Sequence, residues 1–188
     1  MLTAKIYKSK IDSNFNIDSN LKNDSAIMAC RGQPSLPLML LCPVMGILDD
    51  PTDLDHVRLL VTDEVTYVSL NYDNPDLKRI MPWCGTSKGP ESIVKTFVDV
   101  GRYWEKQAFA VEAQFGSGEH VAMFGRFTYK SIVLGKVVTS PFAIFARVAN
   151  GRCTYLQFME DTFATGTSFR SAGSWTFKSN PSGEVITI

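Results

Sequence analysis

Histidine and cysteine are both scarce in this sequence and widely scattered. There are two histidines, His56 and His120, and four cysteines, Cys30, Cys42, Cys84 and Cys153, none of them in a CxxC pair. That pattern argues against a structural zinc site, and no metal is expected. Two histidines placed in this way assemble no Ser-His-Asp set. Isolated cysteines in a chain of this size point to reduced thiols rather than a disulfide framework. Charge of one sign is also missing: 19 Lys and Arg balance 19 Asp and Glu, so no basic excess marks nucleic acid or an anionic membrane as a partner. The longest apolar run, Leu36 to Leu48, is interrupted by Pro37, Pro43 and Gly46 and falls short of the about 20 residues that cross a bilayer. The first residues carry Lys5, Lys8, Lys10, Asp12, Asp18, Lys22 and Asp24 without an apolar stretch, so no secretory signal is expected and a cytoplasmic location is. There is no GxxxxGK[ST] phosphate loop and no dinucleotide fingerprint, so no cofactor is expected.

What is present fits one folded domain. A chain of 188 residues can bury a sizeable core, and its 12 Phe, 6 Tyr and 3 Trp suit a core or an apolar pocket. Residues 1–33 are polar and aperiodic, with Asn14, Asn16, Asn20 and Asn23, and read as an N-terminal arm. Residues 34–172 form the expected domain. Residues 173–188 form a tail with short strands expected at Ser174 to Lys178 and Val185 to Ile188.

Within the domain, helical signals come first. Ser35 can cap a helix over Pro34 to Leu48 that Pro43 kinks or splits. Thr52 or Asp53 caps a short helix, Leu54 to Leu60, which carries His56 as a surface or packing residue. Val65 to Tyr72 is the first strand, with Tyr67, Ser69 and Asn71 on one face. A loop with Met81, Trp83 and Gly85 follows. Pro90 to Glu105 is the strongest helix, with Ile93, Val94, Phe97, Val100, Tyr103 and Trp104 as its apolar stripe. The period then switches to two. Strands are expected at Phe109 to Phe115, His120 to Lys130, about Lys136 to Val148, and from Arg152 onward, with a bulge at Ser140-Pro141 and a tight turn at Asn150-Gly151. Helices segregated from a meander give an α+β domain. Its strongly curved, mainly antiparallel sheet forms a cone around about three N-terminal helices, with an interior pocket where they fail to fill it.

The last long strand carries the candidate chemistry. Its end holds adjacent carboxylates, Glu160 and Asp161. Neighbours in a strand point to opposite faces, so one acid faces inward unless the strand ends at Met159 and both are solvated. A carboxylate aimed into an apolar interior is costly unless something uses it. Asp161 shares a face with Tyr155, Gln157 and Met159, and Glu160 with Phe158 and Thr162.

Several stretches resemble the SnoaL-like branch of the nuclear transport factor 2-like superfamily. They are Gly89-Pro90-Glu91-Ser92-Ile93, Gly116-Ser117-Gly118-Glu119-His120-Val121-Ala122, Pro141-Phe142-Ala143, and Val148-Ala149-Asn150-Gly151-Arg152 leading into Glu160-Asp161-Thr162. The resemblance implies a cone fold hosting polyketide cyclases, steroid isomerases, limonene-type epoxide hydrolases and non-catalytic binding domains. It implies a carboxylate on the last long strand facing the pocket, at the position of Asp161. Arg126 stands where the hydrolases carry an orienting Arg, and Thr128 where they carry a second acid, so that mechanism does not transfer whole. Tyr67 and Asn71 stand near the polar pair of the first strand. Trp83, Tyr103, Phe124, Thr128, Phe142 and Met159 are candidate pocket walls. Glu112, expected on the solvent face, is the rival acid if the strand phase is reversed. The expectation is a cofactor-independent enzyme working by acid–base chemistry on a small apolar oxygenated metabolite, polyketide- or terpenoid-like. Epoxide hydrolysis or epoxide-opening cyclisation comes first, and isomerisation or aldol-type cyclisation second. A ligand-binding or dimerisation module without turnover is the alternative class, and a homodimer is implied.

Overall fold

The last long helix ends at Tyr103, and four consecutive strands follow it from Trp104. The computed structural model of the protein describes residues 36–188, with side chains from Leu41 onward except Cys42. The expected N-terminal arm and the Ser35 cap lie outside these residues. Helix α1 (Leu36–Asp49) runs unbroken through Pro43, neither split nor ended by it. Helix α2 (Leu54–Leu60) is capped by Asp53, whose carboxylate accepts hydrogen bonds from the backbone N–H groups of Asp55 and His56. His56 packs back onto α1 through a 2.9 Å contact between Nε2 and the Gly46 carbonyl.

Strand β1 (Val61–Ser69) begins directly after α2, four residues earlier than expected, and ends before Asn71. The loop after it contains helix α3 (Pro75–Ile80), capped by Asn74, and a short strand β2 (Gly85–Lys88). Helix α4 (Pro90–Tyr103) follows, with Pro90 in its first turn and Ile93 buried. Then come β3 (Trp104–Ser117), β4 (His120–Ser131), β5 (Val137–Ala149) and β6 (Arg152–Glu160). The Asn150-Gly151 turn joins the last two with positive φ at both residues, 51° and 75°, as its type requires. Strand β6 is followed by a short helix, α5 (Thr162–Thr167), whose N-cap is Asp161. The tail strands shrink to β7 (Thr176–Phe177) and β8 (Ile186–Thr187), which pair with each other.

The large sheet has the order β2-β1-β6-β5-β4-β3. Every neighbouring pair is antiparallel except β1 with β6, which is parallel. The last long strand therefore sits in the middle. The bulge expected at Ser140-Pro141 is absent: the β4–β5 ladder passes through Arg126 opposite Pro141 without a register shift. Strand β6 stops at Glu160, opposite Phe142, so Pro141 has no residue of that strand facing it. Helices α1, α2 and α4 pack on one face of the sheet. Val44, Ile47, Val57 and Ile93 meet Val121, Met123, Phe127, Ile144 and Leu156 in one core. This is the expected α+β cone, not closed into a barrel. No helix among the described residues is long and apolar enough to cross a membrane.

Candidate active site

Alternation along three strands decides which side chains reach the interior. On β6 the inward set is Leu156, Phe158 and Glu160. On β4 it is Phe127 and Tyr129, and on β1 it is Tyr67 and Ser69. All of these but Leu156, with Leu70, Trp83, Trp104 and the α4 residues Thr96, Phe97 and Val100, line a cavity whose space for water-sized spheres is about 30 Å³. That is room for a water or two, well below the usual size of a ligand pocket.

Among the described residues, Glu160 is the only acid in this lining. Its Oε1 is buried and has no hydrogen-bond partner. Burial pushes the carboxyl group up to about 7; the nearby Thr165 hydroxyl opposes the rise and the neighbouring Asp161 charge adds to it. The acid is therefore divided between its two protonation states near neutral pH. Two buried phenols share its environment. Tyr67 is raised far above its ordinary value by burial, against a hydrogen bond with Ser69, and further by Glu160. Tyr129 is raised by burial, by Glu160 and by Tyr67. Both phenols therefore remain protonated donors while Glu160 titrates.

Asp161 does not face inward. It is exposed at the N-cap of α5, where its carboxylate accepts from the backbone N–H groups of Phe163 at 3.1 Å and Ala164 at 3.0 Å. The strand ends one residue earlier than an inward Asp161 requires, and alternation brings Glu160 in instead. Arg126 is on the outer face in an ion pair with Glu112 at 2.7 Å, well away from the cavity lining. Thr128 shares that outer face and bonds the Thr139 hydroxyl at 2.8 Å. Phe124, 46% exposed, stacks there on Phe115. Met159 alternates with Phe158 and Glu160 and so also points away from the cavity. Asn71 lies past the end of β1, accepting from the Cys84 thiol at 3.2 Å. Tyr67 and Trp83 do line the cavity. Tyr103 packs edge-on against Trp83 at 5.1 Å and is partly exposed. Phe142 is buried behind the wall, stacked on Phe158 at 5.4 Å. Among the described residues no three His, Cys, Asp or Glu side chains come together to hold a metal ion.

Sequence reasoning missed Glu160, Tyr129, Phe158 and Trp104 as lining residues. A signal was available for the strand: Tyr155, Gln157 and Met159 form a more polar set than Leu156 and Phe158, which marks the latter as the buried side.

No protein-family model matches the chain. It is 44% identical over 151 residues to patulin synthesis protein F of Aspergillus clavatus, an alignment covering 78% of this chain and 76% of that protein. The chain belongs to the patulin synthesis protein F family. Patulin biosynthesis cluster protein F of Penicillium expansum is 41% identical over 151 residues, with 78% and 75% of the two chains covered. Among solved structures, a nuclear transport factor 2-like protein of Burkholderia thailandensis shares the fold with a TM-score of 0.58 at 18% identity, over 70% of this chain and 95% of that one. A candidate SnoaL-like polyketide cyclase of Jannaschia sp. CCS1 gives 0.60 at 14% identity, over 75% and 98%. The chain thus has the nuclear transport factor 2-like fold.

Proposed function

We propose that the protein is an enzyme of secondary-metabolite biosynthesis that moves a proton within a compact, uncharged, oxygenated molecule, driving isomerisation or ring closure. The observation that carries this reading is the unpartnered Oε1 of Glu160 in a small aromatic cavity. A buried carboxyl group near neutral in pKa works equally as base and acid, which proton relocation demands. Glu160 takes a proton from one atom of the substrate and returns it to another. Tyr67 and Tyr129 keep their protons and stabilise negative charge developing on a substrate oxygen. The aromatic walls exclude water and favour a neutral ring over an anion.

Hydrolytic epoxide opening, first in the expectation from sequence, loses support from the geometry. Activating and holding a water in the limonene-type manner uses an arginine and further acids, and among the described residues Glu160 is the single charged side chain of the lining, with Arg126 on the outer face. Opening an epoxide by internal proton delivery from neutral Glu160 is compatible with the same site. Membership of a family named for patulin synthesis supports a small metabolite as substrate.

The test uses extracts of a patulin-producing Aspergillus clavatus strain lacking its protein F as the source of accumulated intermediates. The purified chain consumes one of them, and Glu160→Gln does not while still binding it. In heavy water the product gains deuterium at carbon, and in ¹⁸O-labelled water it gains no label from added water. Solvent oxygen in the product, or full turnover by Glu160→Gln, sinks the reading.

A further inference from the structure

We propose that Trp83 is the gate of the site, a single side chain that shuts the cavity from solvent and swings on its loop to admit the substrate. The inference rests on the reading of Glu160 as the proton carrier and adds the way a molecule reaches it.

The need for a gate comes from size. The cavity beside Glu160 has room for a water or two, and any carbon ring is larger. Part of the wall must therefore yield, and most of it is fixed. Strands β1, β4 and β6 supply much of the lining, and each is hydrogen-bonded to a neighbouring strand on both sides. Moving one of them breaks a ladder. The lining residues of α4 belong to a helix that Ile93 anchors in the core. Trp104 is stacked on Phe169 at 4.5 Å, and its indole N–H donates to the Ser168 hydroxyl at 2.9 Å. Two lining residues are left, Leu70 and Trp83, and both lie outside helix and strand.

Leu70 is tied down. Its backbone N–H donates to the Phe158 carbonyl at 2.8 Å. Its φ of 67° is left-handed, a conformation that a leucine keeps only where the surrounding structure holds it. Trp83 is differently placed. Its loop runs from buried Met81 to Gly85, whose φ of 119° lies where side chains are disfavoured and where a glycine leaves the backbone free to pivot. The Trp83 ring is also the full thickness of the wall. One side lines the cavity, and the other meets Tyr103, which is 38% exposed. Trp104 meets the same ring edge-on at 5.3 Å. Edge-on ring contacts are weak beside a backbone ladder, so the wall gives here at least cost. Open, the loop lets a ring in beside Glu160; closed behind it, the indole keeps water out.

The experiment is a ¹³C NMR titration of the glutamate side-chain carboxyl groups in the full chain, for the parent, Trp83→Ala, Trp83→Phe and Phe127→Leu. Trp83→Ala lets water reach Glu160, and its midpoint falls by about one pH unit or more, because burial is the main cause of its rise. Trp83→Phe keeps a ring in place and stays close to the parent. Phe127→Leu trims a lining residue buried on the sheet and leaves the midpoint where it was. Tyr67, Tyr129 and Asp161, the titratable groups that act on Glu160 from β1, β4 and beside it, are the same in every variant. An unchanged midpoint in Trp83→Ala, or an equal fall in Phe127→Leu, overturns the proposal. Should Trp83→Ala not fold, thiol labelling decides, in a chain carrying Cys30→Ser and Cys42→Ser. Cys84 adjoins Trp83, Cys153 lies in β6, and both are buried. A swinging loop exposes Cys84 alone, which then reacts with methyl methanethiosulfonate at least about tenfold faster than Cys153. Equal rates overturn the proposal. Neither readout uses turnover, which tests the function through Glu160→Gln, so the two failures are distinguishable.

Discussion

Replacing Glu160 with Gln makes the protein more stable at high pH while removing its activity. The sign follows from linkage. Glu160 has a folded-state pKa of about 7 against 4.5 for the free side chain, so the folded chain binds the proton more tightly than the unfolded chain. The folded state carries no ionisation penalty below the unfolded value. As pH rises from 4.5 to about 7 the parent loses stability, because ionising the buried group costs more than ionising the free one. At one pH unit per 1.36 kcal/mol, the loss is roughly 3 kcal/mol, complete near pH 8. Glutamine carries no such penalty at any pH. The stability difference between Glu160→Gln and the parent therefore grows by roughly 3 kcal/mol between pH 4 and pH 8. For a chain of this size that is a melting-temperature gap widening by roughly 10 °C. Urea unfolding of both proteins across that range reads it directly. A difference flat with pH refutes the buried, raised acid and with it the proton-transfer site.

Other predictions concern residues around this centre. Asp161→Ala removes the cap of α5 and costs about 1 kcal/mol by thermal melting, whereas Asp161→Asn, an equally good cap, keeps both stability and turnover. An Asp161→Asn variant that is folded but inactive contradicts the assignment of the acid to Glu160. Arg126→Ala changes stability by less than about 1 kcal/mol in urea and leaves turnover unchanged, because its ion pair with Glu112 is solvent-exposed. Gly125→Ala is severe: an added Cβ would stand 2.0 Å from the Ala110 carbonyl oxygen and 2.6 Å from the Phe142 ring. The backbone of β3 cannot yield as a side chain can, so a loss of about 3 kcal/mol or more is expected, seen as a collapse in soluble yield or urea midpoint.

The cone and its helices were legible because their periodicities are strong and their caps sit at the boundaries. Asp53 before α2, Pro90 in α4 and Asn150-Gly151 before β6 are local signals that the folded chain obeys. The site was harder, because a one-residue uncertainty in where a strand ends inverts every side chain on it. Two adjacent acids at that end made the choice between Glu160 and Asp161 turn on one residue, and the family resemblance favoured the wrong one of the pair for burial. The same phase question sent Arg126 and Thr128 inward in expectation and outward in the structure, since Phe127 and Tyr129 claim the interior of β4. The helix α5 gave no signal at all, being only six residues long and capped by the very residue read as an interior base.

The central place of β6 has a consequence for how the protein is made. Its parallel partner β1 lies about ninety positions earlier in the chain, and the pairing of Tyr67 with Leu156 and Ser69 with Phe158 cannot form until nearly all of it has left the ribosome. Until then β1 presents an unpaired edge, and Tyr67 has no Glu160 to face. Such sequence-distant pairing is slow, since a long loop must close before any contact repays it. The cavity around Glu160 is therefore completed in the same event that seals the sheet. Chains cut short before residue 152 hold an open, adhesive edge and no acid, which suits them to removal by quality control rather than to partial activity.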